Sequence, residues 1–135
     1  MPDGQILNIE QERYLAPEIL FNPSIIGIEY SGLQHLLNSS IKKLDVDLKR
    51  NLYKSIVLSG GNTQINGFTE RLAKELENLV GKKTIVEITA SNDNRGFLPW
   101  IGASSISSKN SFSKLWISKK EFDEHGDQIL MKKQF

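Results

Sequence analysis

Hydrophobic and polar positions follow a clear pattern in the middle of the chain, where a strand, a turn and a helix are predicted in succession. The run Ile56–Leu58 is apolar and short, as a buried strand is. Gly60 and Gly61 predict a turn in which the backbone adopts φ > 0 or approaches another group closely. Apolar side chains then recur at helical spacing, at Phe68, Leu72, Leu76 and Leu79. We expect this helix to begin near Asn66 and to end at Gly81, a typical residue after a helix.

The flanking segments extend this pattern into an alternation of helices and strands. An amphipathic helix is predicted by the spacing of Leu33, Leu36, Leu37 and Ile41. Asp45 is a good N-cap for the helix that follows. Ile85–Ile88 predicts a second short strand, and the polar segment Ser91–Gly96 predicts a loop at its end. Helix, strand, helix, strand is typical of an α/β layer, so we predict the α/β fold class.

The first thirty residues are less regular. We expect Ile6–Ile9 and Tyr14–Leu15 to form a strand pair or a strand and a loop, and Pro17 to open a short helix. The apolar segment Ser24–Ile28 predicts a loop with two possible roles. It is either a buried connection or an exposed patch that meets a partner.

The last third of the chain has few apolar β-branched runs and several helix signals. Small residues within Trp100–Ile106 allow close helix packing. Ser118 and Glu121 match the capping box, so a short helix through Phe122 to Gly126 is predicted. Few strands remain for these helices to cover. We therefore expect this third to pack on protein outside the sequence given.

Composition excludes several classes of function. The chain has 135 residues, enough for one domain or a piece of a larger one. Seventeen basic and sixteen acidic residues give a net charge of +1, which is not the basic footprint of a nucleic-acid binder. The absence of cysteine excludes disulfide and thiolate chemistry and favours a reducing intracellular compartment. Neither a membrane span nor a signal peptide is expected from the apolar runs.

Residues able to perform catalysis or bind metal are scarce. His35 and His125 are far apart in the sequence, and each is more simply a surface histidine than a metal ligand. No serine lies in a Gly-x-Ser-x-Gly motif, and no nucleophile has an evident base, so we assign no catalytic or metal-binding residue. Gly60 and Gly61 belong to neither a P-loop nor a G-x-G-x-x-G motif. Considered alone, they form either a ligand-contacting turn or simply a tight one.

An ordered set of short segments resembles the C-terminal third of actin and the actin-related proteins. The matching segments are Pro2–Gln5, Glu12–Arg13, Pro17–Glu18, Leu20–Phe21, Pro23–Ser24 with Gly27 and Glu29, Asp45–Leu48, Leu52–Tyr53, Val57–Gly61, Arg71–Leu72, Lys74–Glu75, Trp100–Gly102, Trp116–Lys119, Lys133 and Phe135. They occur in the same order as in actin, with one small length difference near Ser91. Each match is modest alone, but the ordered set is specific.

The resemblance implies a partial actin-type ATPase fold, which is ribonuclease H-like and has two lobes around a nucleotide cleft. Residues 2–98 would form the smaller α/β sub-domain beneath the cleft, and residues 99–135 would be helices that return to the missing lobe. Actin's phosphate-binding hairpins and catalytic residues belong to segments upstream of the match. We therefore expect Met1 to mark a truncated form, a partial gene model or an internal methionine, and we expect no ATP hydrolysis by this chain alone.

The resemblance also implies an adenosine-side nucleotide site. Its residues in this chain would be Gly60, Gly61, Asn62, Gln64, Ile65 and Arg95. Gln64 and Ile65 replace the methionine and tyrosine that flank adenine in actin. Actin has a lysine beside the adenine, and its position falls in the loop Asn94–Gly96 of this chain. Either Arg95 takes the place of that lysine, or Gly96 stands there and provides no side chain. We expect ATP or ADP with Mg²⁺ in the full-length parent and no cofactor on this chain alone.

Two partner surfaces carry over from the same resemblance. The apolar residues Ile25, Ile26 and Ile28 match actin's hydrophobic plug, which faces the neighbouring strand of the filament. The cleft that receives actin-binding proteins corresponds to Ile101, Ser105, Ile106, Lys109, Ser111 and Leu115. Actin has aliphatic residues where Ser105 and Lys109 stand, and a lysine in an apolar groove lowers affinity for helical partners. This difference favours a divergent actin or an actin-related protein.

Three functional hypotheses follow. The first is a fragment of an actin-like cytoskeletal protein, cytoplasmic, whose parent binds ATP and assembles into filaments with actin-type protomers or actin-binding proteins. The second is an actin-related subunit of a chromatin-remodelling or motor-adaptor complex with little ATPase activity, for which the nucleus is also possible. The third is a structural module without nucleotide. Neither nucleic acid nor membrane is expected as a partner, and self-association through residues 100–135 is expected for the chain alone.

Overall fold

The computed structural model describes residues 2–91 and 93–132, and the chain divides into two compact units, residues 1–96 and residues 97–135. The first unit contains four α-helices and two strands within the described residues. They are α1 (Glu12–Glu18), α2 (Leu33–Lys42), α3 (Val46–Tyr53), β1 (Ile56–Val57), α4 (Phe68–Val80) and β2 (Ile88–Thr89). Short 3₁₀ helices at Pro23–Ile26 and Gly61–Gln64 lie between them. The combination of helices with a small parallel sheet is an α/β fold.

Strands β1 and β2 are parallel, with Ile56 opposite Ile88 and Val57 opposite Thr89. Helix α4 connects them, so the three elements form a βαβ unit. The ladder extends beyond the strands, because the Leu58 N–H donates to the Thr89 carbonyl at 3.0 Å. Parallel strands bring their carboxyl ends to the same edge of the sheet, and loops that follow them therefore meet there.

The core of the first unit lies where α4 covers the sheet. Its buried members are Phe21, Ile56, Leu58, Phe68, Leu72 and Leu76. Leu72 and Leu76 are fully buried because their i, i+4 spacing places both on the inner face of α4. The rings of Phe21 and Phe68 lie 5.5 Å apart in a tilted pair. Burial of one such side chain contributes about 1.5–3 kcal/mol.

Helix α2 is held to the core by polar contacts as well as by its apolar stripe. The Leu33 N–H donates to the Leu20 carbonyl at 2.9 Å, and Gln34 Nε2 donates to the Phe21 carbonyl at 3.0 Å. The Tyr53 hydroxyl of α3 donates to Asn38 Oδ1 at 2.7 Å, and both side chains are buried. Burial raises the pKa of Tyr53 because it disfavours the phenolate.

Arg71 on α4 joins α1 to this core. Its Nη1 and Nη2 donate to the two carboxylate oxygens of Glu18 at 2.8 Å each, and its Nε donates to Glu75 at 2.8 Å. The guanidinium carbon lies 5.0 Å from the centroid of the Phe21 ring. The hydrogen bonds to Glu18 are the main reason that the pKa of Arg71 is raised. Bidentate pairing fixes the geometry of the two helices, although Arg71 remains partly exposed.

The second unit consists of short helices within its described residues. These are α5 (Leu98–Ser107), a 3₁₀ helix (Asn110–Leu115), α6 (Lys119–His125) and α7 (Gln128–Lys132). The predicted capping box is present, because Ser118 Oγ accepts from the Glu121 N–H while Glu121 accepts from the Ser118 N–H. Helix α6 ends before Gly126, as predicted. The rings of Phe112 and Trp116 meet edge to face, 6.0 Å apart.

The prediction for the N-terminal segment was wrong. Tyr14 and Leu15 lie in helix α1, which begins at Glu12, and not in a strand. Pro17 lies inside this helix near its end, so it does not open it. The helix tolerates this proline because the carbonyl that loses a partner belongs to Arg13, an exposed residue.

Three other element predictions need smaller corrections. The second strand is Ile88–Thr89, later than Ile85–Ile88, because only its end lies beside β1. Ser24–Ile28 is not an irregular loop, since Pro23–Ile26 forms a 3₁₀ helix that Gly27 ends at φ +74°. The residue before α4 is Gly67, at φ +78°, rather than Asn66.

Candidate functional site

The double-glycine turn lies at the carboxyl edge of the sheet and is tied to the loop after β2. Gly60 has φ +97°, a conformation that a side chain would strain. Its N–H donates to the Arg95 carbonyl at 2.9 Å, and its carbonyl accepts from Thr63 Oγ1 at 2.7 Å. Asn94 beside Arg95 also has positive φ, at 56°. The turn and the loop therefore hold each other in one arrangement at this edge.

A cavity of about 340 Å³ opens where this edge meets the start of α4. Its lining residues are Gln64, Ile65, Asn66, Gly67, Phe68, Thr69, Glu70, Ile88, Ala90 and Arg95. The resemblance assigned six residues to adenosine binding, and three of them, Gln64, Ile65 and Arg95, come together in this cavity. Their separation in sequence is bridged by the pairing of β1 with β2.

Arg95 is the cation of this cavity, and its side chain is half-buried. Its Nε is buried and has no hydrogen-bond partner among the described residues. A buried donor without a partner costs about 1–3 kcal/mol.

Gly96 is covered by another predicted site residue. A Cβ built on Gly96 would lie 2.9 Å from Gln64 Oε1 and 3.2 Å from Gln64 Cδ. Because Gly96 has no side chain, there is room for the Gln64 side chain to lie against it. Of the two alternatives left open for this loop, Arg95 is the residue that lines the cavity.

The remaining predicted nucleotide residues lie outside the lining of this cavity. Gly60 and Gly61 form the turn behind it. Asn62 lines a separate cavity of about 440 Å³ with Arg13, Pro17 and neighbours on α1, and Ile65 lines both cavities. The structure thus gathers three of the six residues and places the other three in the adjoining turn.

Several lining residues of the cavity were not predicted from the sequence. Thr69 and Glu70 belong to the first turn of α4, and Ile88 and Ala90 belong to β2 and the residue after it. The signal that could have found them is topological, because residues after a strand and at the start of the next helix face the carboxyl edge of an α/β sheet. No motif marks them individually.

The predicted plug residues form an exposed apolar patch in the first unit. Ile25, Ile26 and Ile28 are 41%, 53% and 39% exposed. Ile25 and Ile26 lie on the 3₁₀ helix, and Gly27 turns the chain after it. Of the two interpretations, the buried connection is therefore wrong for these side chains.

The predicted cleft residues of the second unit lie on two neighbouring segments. Ile101, Ser105 and Ile106 belong to α5, and Leu115 ends the 3₁₀ helix that packs against it. Ile101 and Leu115 are half-buried, whereas the members Ser105, Ile106, Lys109 and Ser111 are exposed. Trp100 and Trp116, which were not assigned to this surface, are 72% and 63% exposed.

Neither a metal site nor a membrane-spanning helix is found among the described residues. No group of three or more His, Cys, Asp or Glu side chains there could hold a metal ion. Within residues 2–91 and 93–132, every helix is too short or too polar to cross a lipid bilayer.

Comparison with protein families gives a match over the whole chain. The sequence matches the family model described as Actin over residues 1–135. The match includes both compact units and every residue of the cavity described above.

Proposed function

The chain belongs to the actin family, and from this premise we propose that it supplies the adenosine side of an ATP- or ADP-binding site in an actin-like protein that assembles into filaments. The observation that carries the proposal is the cavity in which Gln64, Ile65 and Arg95 meet, with an unpaired Nε on Arg95. Its volume is at the lower end of the range for ligand pockets, about 300–1,000 Å³.

The residues of the cavity suit an adenosine group. Ile65, Ile88 and Ala90 offer apolar surface to a purine ring, while Gln64 and Arg95 offer hydrogen bonds. Arg95 also carries a fixed positive charge. The bound nucleotide would carry phosphates and Mg²⁺. The resemblance assigns the protein groups that contact them to segments outside this chain. We assign no catalytic step to the chain.

Within the ribonuclease H-like architecture of actin, the proposal assigns residues 2–98 to the sub-domain beneath the nucleotide cleft and residues 99–135 to helices that return to the other lobe. It also assigns the exposed isoleucines Ile25, Ile26 and Ile28 to contacts between protomers, since an exposed apolar patch is typical of an interaction surface. The expected location is the cytoplasmic cytoskeleton. Exposed Trp100 and Trp116 support self-association of the chain alone.

The proposal is tested by nucleotide affinity in the longest natural form of the protein that contains this chain. We expect Arg95→Ala to weaken ADP binding about tenfold, roughly the 1.4 kcal/mol of one lost charged hydrogen bond. Lys82→Ala, an exposed lysine in the same unit and outside the cavity, is the matched control and should leave affinity unchanged. An Arg95→Ala protein that binds ADP as tightly as the wild type would refute the assignment.

Filament assembly is tested separately by sedimentation with ATP and Mg²⁺. We expect the wild type to pellet, and a Ile25→Ser, Ile26→Ser double variant to remain in the supernatant while retaining its nucleotide. A nucleotide-loaded wild type that stays monomeric at high concentration would rule out assembly.

An actin-related subunit of a chromatin-remodelling or motor-adaptor complex is the second candidate, and it includes a nuclear location. It is supported by Ser105 and Lys109, polar residues that lie exposed where an apolar cleft is expected. A stable complex purified from native extract, together with a wild type that does not pellet, would favour this candidate over filament assembly.

A further inference from the structure

A second concave surface of the first unit lies away from the carboxyl edge of the sheet. It is a groove of about 670 Å³ between helix α3, the end of α2 and the end of α4. Its cations come from α2, from α3 and from the turn after α4: Lys42, Lys49, Arg50 and Lys83. No acidic residue belongs to its lining.

These cations are not used by the fold. None of the four makes a salt bridge among the described residues, in contrast to Arg71. Asp45, the residue before α3, and Asp47 flank Val46 in sequence, but neither belongs to the lining of the groove. The groove is therefore a local excess of positive charge in a chain whose net charge is only +1.

The lining of the groove also includes apolar residues, which distinguishes it from a simple basic patch. Positions 46, 49, 50 and 53 share one face of α3, so Val46 and Tyr53 lie in line with the cations. Leu79 and Val80 form the opposite wall at the end of α4. Val46 is 77% exposed, whereas Tyr53 is buried and fixed by its hydrogen bond to Asn38.

We propose that this groove binds a short acidic segment of a partner protein that carries at least one large apolar side chain. The four cations favour carboxylates, and the apolar lining residues favour an apolar anchor side chain, which a phosphate chain does not possess. From Val46 to Tyr53 the face of α3 is about 10 Å long at 1.5 Å per residue, room for a few residues of such a segment. The inference does not depend on nucleotide binding.

The binding experiment uses the complete 135-residue chain and four fluorescein-labelled probes. The first is a short peptide of alternating Asp or Glu and Leu or Phe. The second replaces its acids by Asn and Gln, the third replaces its apolar residues by Ser and Gly, and the fourth is a single-stranded oligonucleotide of equal charge. We expect the first probe to bind in the micromolar range by fluorescence anisotropy and the other three at least tenfold more weakly. Added salt should weaken the first probe's binding, because its charges are exposed.

A charge-reversed variant locates the site. Arg50→Glu with Lys83→Glu reverses one exposed cation on each wall of the groove, and we expect at least a tenfold loss of affinity for the first probe. Lys74→Glu with Lys119→Glu changes the net charge equally at exposed positions outside the groove and should leave the affinity within twofold. Far-UV circular dichroism checks that both variants are folded.

Several results would overturn the proposal. If the first probe does not bind, the groove is not a site for acidic segments. If the control variant loses as much affinity for the first probe as the groove variant does, the attraction depends only on the net charge of the chain. Equal binding by the uncharged peptide would exclude the role of the cations. Equal binding by the apolar-free peptide or the oligonucleotide would make the surface a general polyanion site.

Discussion

Gly32 offers a sharp test of how α2 docks onto the core. It precedes α2 at φ −64°, so its backbone conformation is open to any residue, and only space restricts it. A Cβ at this position would lie 1.9 Å from the Phe21 carbonyl oxygen and 2.8 Å from Gln34 Oε1. Non-bonded heavy atoms pack at about 3.5 Å, so Gly32→Ala must separate the two backbones by roughly 1.5 Å.

That separation would break two hydrogen bonds to residues 20 and 21. They are the Leu33 N–H to the Leu20 carbonyl at 2.9 Å and Gln34 Nε2 to the Phe21 carbonyl at 3.0 Å. Two lost hydrogen bonds cost about 1–3 kcal/mol together, and overpacking adds about 1–3 kcal/mol. We therefore expect Gly32→Ala to lower the free energy of unfolding by about 2–6 kcal/mol. For a unit of this size, the melting temperature should fall by at least about 8 °C.

The assay is thermal unfolding of the complete chain followed by far-UV circular dichroism, with Gly102→Ala as the matched control. Gly102 lies inside α5, and an added Cβ there would meet nothing within 4 Å. Alanine is the better helix former, so this control should be neutral or stabilising by up to about 1 kcal/mol. The same glycine-to-alanine change is thus expected to lower the free energy of unfolding at residue 32 and to leave it unchanged or raise it at residue 102. A Gly32→Ala protein that melts within about 2 °C of the wild type would show that the reasoning is wrong.

Two further predictions concern the core of the first unit. Leu76→Ala should lower the free energy of unfolding by about 2–5 kcal/mol, because Leu76 is fully buried, whereas Leu36→Ala, at a side chain that is half exposed, should cost under about 1 kcal/mol in the same urea titration. Because the pKa of Tyr53 is raised in the folded state, the unfolded chain loses the phenolic proton at a lower pH than the folded chain does. The contribution of the protonated phenol to the free energy of unfolding is therefore complete below the unfolded pKa and is lost as pH rises through the folded pKa. Wild-type stability should therefore fall more steeply above pH 10 than that of Tyr53→Phe, and parallel pH profiles would contradict this.

The elements that sequence predicted best are those in which local signals and packing agree. Helix α4 has an apolar stripe at Leu72 and Leu76 and a glycine at each end, and it occupies nearly the predicted span. Helix α6 follows from the capping box of Ser118 and Glu121 because both hydrogen bonds are local. Neither element depends on a distant partner for its boundaries.

The N-terminal segment could not be predicted in the same way. Helix α1 has no buried residue, so its sequence carries little amphipathic signal, and Pro17 suggested a start where the helix nearly ends. What holds it is the bidentate contact of Glu18 with Arg71, which is 53 positions away. A contact between residues so far apart in the sequence produces no periodic pattern from which it could be predicted.

The candidate site was predicted in part for a comparable reason. The double glycine marked the turn, and resemblance to a family indicated Arg95, but only the pairing of β1 with β2 brings Arg95 beside Gln64 and Ile65. The residues on α4 and β2 that complete the cavity have no distinctive type. Their role comes from position at the carboxyl edge of the sheet.

Helix α4 relates the two surfaces described for the first unit. Phe68 and Thr69 at its start line the cavity of Arg95, while Leu79 and Val80 at its end line the basic groove. These positions are about 15 Å apart along the helix at 1.5 Å per residue. Because Leu72 and Leu76 anchor the intervening turns in the core, a ligand at one end could influence the other only by moving α4 as a body. Such a movement would disturb the best-buried side chains of the unit, and so the two surfaces should bind their ligands independently.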